Sequence, residues 1–471
     1  MVLTNRNLVT IDDFSDQEIE AVFAIADEMD QSIREGLGLC SNFIMATLFY
    51  EPSTRTRLSF EAAMHRLGGR VISCSEMQYS SHAKGESLAD TARVVGSYAD
   101  IVVIRHPWEG SAKVAAEYSE VPVVNAGDGG HEHPTQTLCD LYTLKKERGK
   151  IKGLSVALWG DLKYGRTVHS LAYGLARFGA DIVCLPAEGM EMPDYVSTRL
   201  QQEYNCRLIQ GSATDADHII GDVDAVYLSP TRHHQSQLHS SRGISGGNNC
   251  FNSEKEKVRI DALYMTRLQR EKHAEVSVAA EGEKNYPRVT PELLKGAKFK
   301  RTLIMHPLPR VDELPHEVDQ DPRSVYFKQA AWGVPVRMAL IALLLGVKDS
   351  GVAESYNSQQ HKMSYPLYKR SFGMKCASTS CVTVHESKYV VPEFKIVSSE
   401  PLRLRCVYCE QEIPPQYIAS AKRHQPTLQN KRYHKADSLT FKKIKPENLI
   451  FFDSEKEALA QGFRPGRHAD T

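Results

Sequence analysis

The sequence predicts an α/β protein: two doubly wound parallel-sheet domains, then a small β-rich domain and a short α+β tail. Three observations predict it. Short apolar runs alternate with helical segments through the first 350 residues, the pattern of parallel strands joined by crossover helices. That alternation restarts near residue 150, so two sheets are expected. Beyond Gly351 it stops, and Cys376, Cys381, Cys406 and Cys409 gather in short β-like segments.

The elements follow in order. Ser15-x-x-Glu18 is a capping box that opens an amphipathic helix to about Arg34. FIMATLFY (43–50) is continuously apolar, as a strand buried on both faces is. A helix is predicted over Arg55–Leu67, then strands at RVISC, DIVVIR (100–105) and VPVVNAG (121–127), and a long helix from Pro134 to Gly149. In the second domain SVALWGD (155–161) and DIVCLP (181–186) are strands on either side of a helix at 166–178. DAVYLS, ALYM and TLIMH read as further strands, and an apolar helix around 329–347 closes this part. A stretch rich in Ser, His, Gly and Asn, about 228–258, reads as an inserted loop.

With 471 residues, two to four domains are expected at roughly 100–200 residues each. The boundaries are placed at 1–149, 150–350, a linker at 351–365, a cysteine-bearing domain at 366–425 and a tail at 426–471. Lys+Arg and Asp+Glu balance at 58 each, which gives no support for bulk nucleic-acid binding. The balance hides an asymmetry: from residue 351 onward there are 19 Lys+Arg against 12 Asp+Glu, leaving 39 against 46 before it. A solvated basic surface accounts for this, as would docking of the tail on the body. Mean hydropathy is −0.38, and the longest apolar run, Met338–Val347, is half the roughly 20 residues of a spanning helix, so no membrane role is expected. The N-terminal residues show no signal-peptide pattern. A cytoplasmic location follows, in which the scattered cysteines stay reduced.

The residues with chemical potential sit at predicted strand ends. Ser53-Thr54-Arg55-Thr56 follows the first buried strand and opens a helix. Unpaired N–H groups, the positive dipole end, three hydroxyls and a guanidinium suit a phosphate. Arg105 ends DIVVIR, and His133-Pro134-Thr135-Gln136 follows VPVVNAG. In an open parallel sheet ligands gather at these carboxyl ends. Ser80 and Lys84 lie in a polar loop, Ser80–Glu86. Arg166 opens the helix after SVALWGD, in position to face the cleft between domains. Arg267 and Gln269 follow ALYM, while Leu308 and Pro309 follow TLIMH in His306-Pro307-Leu308-Pro309-Arg310. The prolines flanking Leu308 fix the backbone so that its carbonyl can face a ligand.

In order and spacing, STRTR (53–57), Ser80 with KGE (84–86), RHP (105–107), HPTQ (133–136), GDLKYGRTVHS (160–170), YMTRLQ (264–269) and HPLPR (306–310) resemble the transcarbamylases, and within them the aspartate carbamoyltransferase catalytic chains, over residues 5–350. The resemblance implies transfer of the carbamoyl group of carbamoyl phosphate to L-aspartate, an early step of pyrimidine biosynthesis. It implies that Ser53, Thr54, Arg55 and Thr56 hold the phosphate, with Ser80 beside them. Arg105, His133 and Gln136 would contact the carbamoyl group, with Leu308 and Pro309 giving backbone to its amine. Arg166 and Arg267 would clamp the aspartate carboxylates beside Gln269; Arg232 of DAVYLSPTR is a rival register for Arg267. Ser80 and Lys84 would come from a neighbouring subunit, because the family's sites lie between chains of a trimer. The catalytic set is then Arg55, Thr56, Lys84, Arg105 and His133, with no cofactor needed for the chemistry. Pro307 stands where ornithine-specific relatives carry a cysteine, which favours aspartate. Ala83 departs from the second basic residue common in relatives.

Cys376-x4-Cys381 and Cys406-x2-Cys409 have the pair spacing of a tetrahedral zinc site with a structural role, since four thiolates leave no open position. The region resembles the zinc domain of the family's regulatory chain, through CVYCE (406–410). About 25 residues separate Gly351 from Cys376, too few for that chain's nucleotide-binding domain, so no control by CTP or ATP through it is expected. The tail, KIKPENLIFFDSEKEALAQGFRP, resembles a small metal-binding module of DNA alkylation-repair proteins, with Ser438 and Gly466 in place of its cysteines. A retained shell without its metal is expected.

Overall fold

The computed structural model describes residues 3–74, 85–149, 151–212, 222–230, 260–267, 287–352, 367–368, 374–399, 401–420, 432–438, 443–445 and 448–466. The first helix, α1 (Asp16–Gln31), opens on the expected capping box. Ser15 Oγ accepts from Glu18 N at 3.1 Å, and the Glu18 carboxylate accepts from Ser15 N at 2.7 Å.

The first sheet contains β1 (Ile44–Phe49), β2 (Arg70–Cys74), β3 (Ile101–His106) and β4 (Val123–Asp128), all parallel in the order β2-β1-β3-β4. Its crossovers carry α2 (Thr54–Arg66), α3 (Leu88–Gly96) and α4 (Ser111–Tyr118), and α5 (Pro134–Arg148) leads out of it. The chain leaves β1 for one neighbour and later returns to the other side. The ends of β1 and β3 therefore form a topological switch point, where a crevice opens.

The second sheet is also parallel. It orders β5 (Ser155–Gly160), β6 (Asp181–Pro186), β7 (Leu208–Gln210), β8 (Ala225–Ser229), β9 (Ala262–Met265) and β10 (Leu303–Met305) as β10-β9-β8-β5-β6-β7. Two helices on its crossovers are α6 (Arg166–Arg177) and α7 (Asp194–Gln202). The switch point here lies between β5 and β8. Leu228 and Ser229, where the predicted strand DAVYLS meets the approximate start of the inserted loop, finish β8; residues 231–258 of that loop lie outside the described residues.

The apolar helix is α8 (Tyr326–Leu344), and it packs on α1, α2 and α5. Met338 to Leu344 are all buried, so a helix that is apolar all round has a soluble explanation: it is threaded back under the first domain. Among the described residues no helix is long and apolar enough to cross a membrane.

The remainder forms two small sheets. An antiparallel one joins β11 (Leu367–Tyr368), β12 (Phe394–Ser399), β13 (Leu402–Cys406) and β14 (Glu412–Ile413). The other joins β15 (Tyr417–Ser420), β16 (Arg432–Lys435), β17 (Leu449–Phe452) and β18 (Arg464–Pro465) in the order β17-β15-β16-β18, with α9 (Glu455–Ala460) after β17. Strand β15 thus pairs with the tail, although its position in the chain groups it with the cysteine domain. Phe394, Leu404 and Tyr408 share one apolar core with Ala92 of α3 and Ala112 and Ala115 of α4.

Candidate active site

The strand ends converge on a cavity of about 1160 Å³ between the two sheets. Ser53 is the N-cap of α2, yet its side chain makes no capping bond. Its hydroxyl is left to the cavity, which Thr54, Arg55 and Thr56 also line. A phosphate placed here meets four unpaired N–H groups of the helix start and the positive end of its dipole.

Arg105 ends β3 and donates from Nη1 to Ala126 O at 3.3 Å. His133 is the N-cap of α5, with Pro134 at the first helical position, where a missing N–H costs nothing. Its backbone N donates to Ser170 Oγ at 2.9 Å, and its Nδ1 lies 3.3 Å from Thr135 Oγ1. Arg166 opens α6 and donates from Nη1 to Gly129 O at 2.7 Å. One glycine brings these three together. Gly127 has φ +113°, and a Cβ on it would lie 3.2 Å from Arg105 Nη1, 3.3 Å from the His133 ring and 3.5 Å from the Arg166 guanidinium.

A residue that sequence reasoning missed joins the cluster. Glu51, directly after β1, receives Arg166 Nη1 at 3.0 Å and Arg166 Nη2 at 3.2 Å, and pairs with Arg105 Nη2 at 3.2 Å. It ties the first domain to the second. Burial alone would raise its carboxyl, but Arg166 and Arg105 hold it below the usual carboxylate range. The available signal was an acidic side chain two residues past a buried strand, just before a cationic segment. His133 goes the other way: burial, then Arg105 and Arg166, push it well below an ordinary histidine, so the ring is neutral. Burial lowers Arg55, and Arg267 lowers it further from across the cleft.

Arg267, Gln136, Leu308 and Pro309 line the same cavity. Leu308 has φ +54°, the left-handed region, and the Leu308–Pro309 peptide is cis. Ser80, Lys84, Gln269 and the rival Arg232 lie outside the described residues.

The four cysteines of the C-terminal region are all buried, and their Sγ atoms fall within 4.8 Å of one another. Cys376 and Cys409 are 3.3 Å apart, Cys381 and Cys406 3.9 Å, and none is in a disulfide. A tetrahedral zinc with bonds of about 2.3 Å has sulfur–sulfur edges of about 3.8 Å, so the set fits such an ion. The knuckle is stitched to the first domain. Glu109 N donates to Ser380 O at 2.9 Å, Val382 N donates to Glu109 O at 2.8 Å, and Ser378 Oγ donates to Glu109 Oε2 at 2.7 Å. Trp108 stacks on His385 with centroids 4.4 Å apart and planes 2° from parallel.

Residues 6–146 match the family model for the aspartate/ornithine carbamoyltransferase carbamoyl-P binding domain, and 229–344 that for the Asp/Orn binding domain. The catalytic subunit of aspartate carbamoyltransferase from Clostridium botulinum (strain Loch Maree / Type A3) is 45% identical over 353 residues, 74% of this chain and 100% of that one. The chain belongs to the aspartate carbamoyltransferase family. It is a carbamoyltransferase, and Arg105, Arg166 and a neutral His133 are gathered in one cleft.

Other aspartate carbamoyltransferases agree. The catalytic subunit from Thermococcus gammatolerans is 44% identical, covering 73% of this chain and 98% of its own. Among solved structures, the catalytic subunit of M. Jannaschii aspartate transcarbamoylase is 40% identical with a TM-score of 0.57, covering 72% of this chain and 98% of its own. The Trypanosoma cruzi enzyme in complex with carbamoyl phosphate and aspartate is 34% identical with a TM-score of 0.58, covering 73% and 96%. Residues 371–419 match the metal binding domain of the aspartate carbamoyltransferase regulatory chain. A catalytic chain and a regulatory-type metal domain are therefore joined in one polypeptide.

Proposed function

We propose that this cleft transfers the carbamoyl group of carbamoyl phosphate to the amine of L-aspartate, giving N-carbamoyl-L-aspartate and phosphate. The observation that carries the reading is the meeting of Arg105, His133 and Arg166 around Gly127, beside the start of α2. Ser53, Thr54, Arg55 and Thr56 take the phosphate, with Ser80 of a neighbouring subunit. Arg166 and Arg267 take the aspartate carboxylates, with Gln269. The amine attacks the carbonyl carbon, a C–N bond forms, and charge gathers on the carbonyl oxygen. Arg105, Thr56 and His133 donate to that oxygen, and donors already in place cost no reorganisation as the charge develops. With the Thr135 hydroxyl donating to Nδ1, the neutral His133 ring carries its proton on Nε2, ready to donate. The C–O bond to phosphate then breaks, and the amine proton leaves with the phosphate. Holding two anions side by side supplies the remaining advantage through proximity.

The four thiolates hold a zinc ion whose role is structural. Lys84 and Ser80 complete the site of an adjoining copy, so the working unit is a homo-oligomer, a trimer or larger, in the cytoplasm. The unit boundaries are 1–149, 150–350, 366–425 and 426–471, joined by the linker at 351–365. Product formation from carbamoyl phosphate with aspartate, run beside ornithine, tests the reading. Turnover with aspartate alone supports it; turnover with ornithine alone, or with neither from folded and zinc-loaded protein, overturns it.

A further inference from the structure

A buried hydrogen-bond relay joins the two walls of the carbamoyl pocket. Asp140 lies one turn after Gln136 on α5 and is 0% exposed. Its Oδ1 accepts from Gln136 Nε2 at 2.8 Å and from Gln329 Nε2 of α8 at 2.8 Å, while its Oδ2 accepts from Tyr264 OH of β9 at 2.9 Å. Gln329 Oε1 in turn accepts from His306 N at 3.1 Å, and His306 Nδ1 accepts from Leu308 N at 2.8 Å. His306 Nε2 meets Glu313 Oε1 at 3.0 Å, which fixes the ring. The relay therefore runs from the Gln136 side chain, in the first domain, to the Leu308 loop, in the second.

The chemistry of the relay is directional. A carboxylate only accepts, so the donor end of each amide must face Asp140. One N–H of Gln136 Nε2 is engaged there, and because the amide is planar this turns its oxygen away from Asp140, on a side chain that lines the cavity. Opposite stands the backbone of Leu308, whose N–H is held by His306. The acceptors at this place are the Gln136 amide oxygen and the Leu308 carbonyl.

We propose that Asp140 is a positioning residue that turns the Gln136 amide oxygen into the pocket and so selects a substrate carrying an N–H₂ group over one carrying a methyl group at that place. This rests on the reading of the cleft as a carbamoyl site and adds the group that sets its selectivity. An amine donates to acceptors on both walls; a methyl leaves them unpaired, and buried unpaired polar groups are the strong source of discrimination between isosteres. Burial pushes the Asp140 carboxyl up to about 7, against the pull of its three donors. The carboxylate is the form that accepts from all three.

The test compares carbamoyl phosphate with acetyl phosphate, which replaces NH₂ by CH₃, at saturating aspartate and pH 8. In D140L no acceptor remains beside Gln136, so nothing holds its amide with the oxygen toward the pocket. The ratio of kcat/KM for the two donors is expected to fall about tenfold, mostly through carbamoyl phosphate, with KM for aspartate unchanged. Y264F removes only the Oδ2 contact and keeps the ratio, a result that a general loosening of the core would not give. Should D140L not fold, Asp140→Ala, which also lacks an acceptor, is measured in its place. An unchanged ratio in the folded variant overturns the proposal. Q136A separates the two layers: if it leaves the ratio unchanged, Gln136 does not face the amine and the underlying reading of that contact fails; if it lowers the ratio while D140L does not, only the role of Asp140 falls.

Discussion

At Gly127 an added methyl group is both strained and tight. The positive φ disfavours any side chain, and Cβ would press on the Arg105 guanidinium and the His133 ring and touch the Arg166 guanidinium. Gly127→Ala is expected to lower kcat/KM on the order of a hundredfold through displaced groups, with a much smaller loss of thermal stability; steady-state kinetics beside a melt separates the two. His133 supports a second residue-scale prediction. Its native pKa lies well below the ordinary value of about 6.5. Below pH 6.5 the unfolded chain binds a proton there that the native chain refuses, so stability falls as pH drops through that value. Denaturant unfolding of wild type and His133→Gln between pH 7.5 and 5 is expected to show a shallower fall in the variant. The residues legible in the sequence were those whose type announces chemistry at a strand end: Arg105, His133, Arg166. Glu51, Gly127 and Asp140 were not, because their roles depend on what the fold sets opposite them.

At the scale of elements, periodicity located the strands and helices of the first 350 residues to within a few positions, since parallel strands buried on both faces and amphipathic helices write distinct patterns. It could not say that β15 pairs with β16 and β17 rather than with β14, because a four-residue strand carries no mark of its partner. Nor did the apolar pattern of α8 reveal that it returns to the first domain. That return has a consequence at Arg337, which is buried against Phe60 of α2 at 4.9 Å and donates to Ser59 Oγ at 3.1 Å. Arg337→Ala, which deletes the stem as well as the charge, is expected to lower the stability of the first domain by about 3 kcal/mol. Urea unfolding followed by circular dichroism checks it.

Across the whole molecule, an ion network joins the three larger parts. Arg199 of α7 pairs with Asp12 near the N-terminus and with Glu410, which follows the last cysteine of the knuckle, and its Nη1 is 3.5 Å from Glu132. Arg405 pairs with Glu203, just after α7. Arg199 is 3% exposed, so its removal strands acidic partners in a dry place. Arg199→Met is expected to cost about 3 kcal/mol, read as a lower midpoint in urea with the slope unchanged. Removing the metal with a chelator is expected to unfold β12–β14 and to expose amides of α3 and α4, since their apolar faces share a core with that sheet; hydrogen exchange locates the loss, and added zinc restores the protection. Docking of the C-terminal part on the body was one reading of the charge asymmetry, but the residue pairs were not legible beforehand, because pairs two hundred residues apart leave no local periodicity.

The seam at Glu109 has one more consequence, which concerns mass action. A separate subunit held by the contacts of that seam, the shared core and the Arg199 and Arg405 pairs would leave as the solution is diluted. Here the same contacts close within a single polypeptide, where a short tether keeps the local concentration of the knuckle on the order of millimolar. Occupancy of that seat becomes a property of the chain and not of how much of it is present.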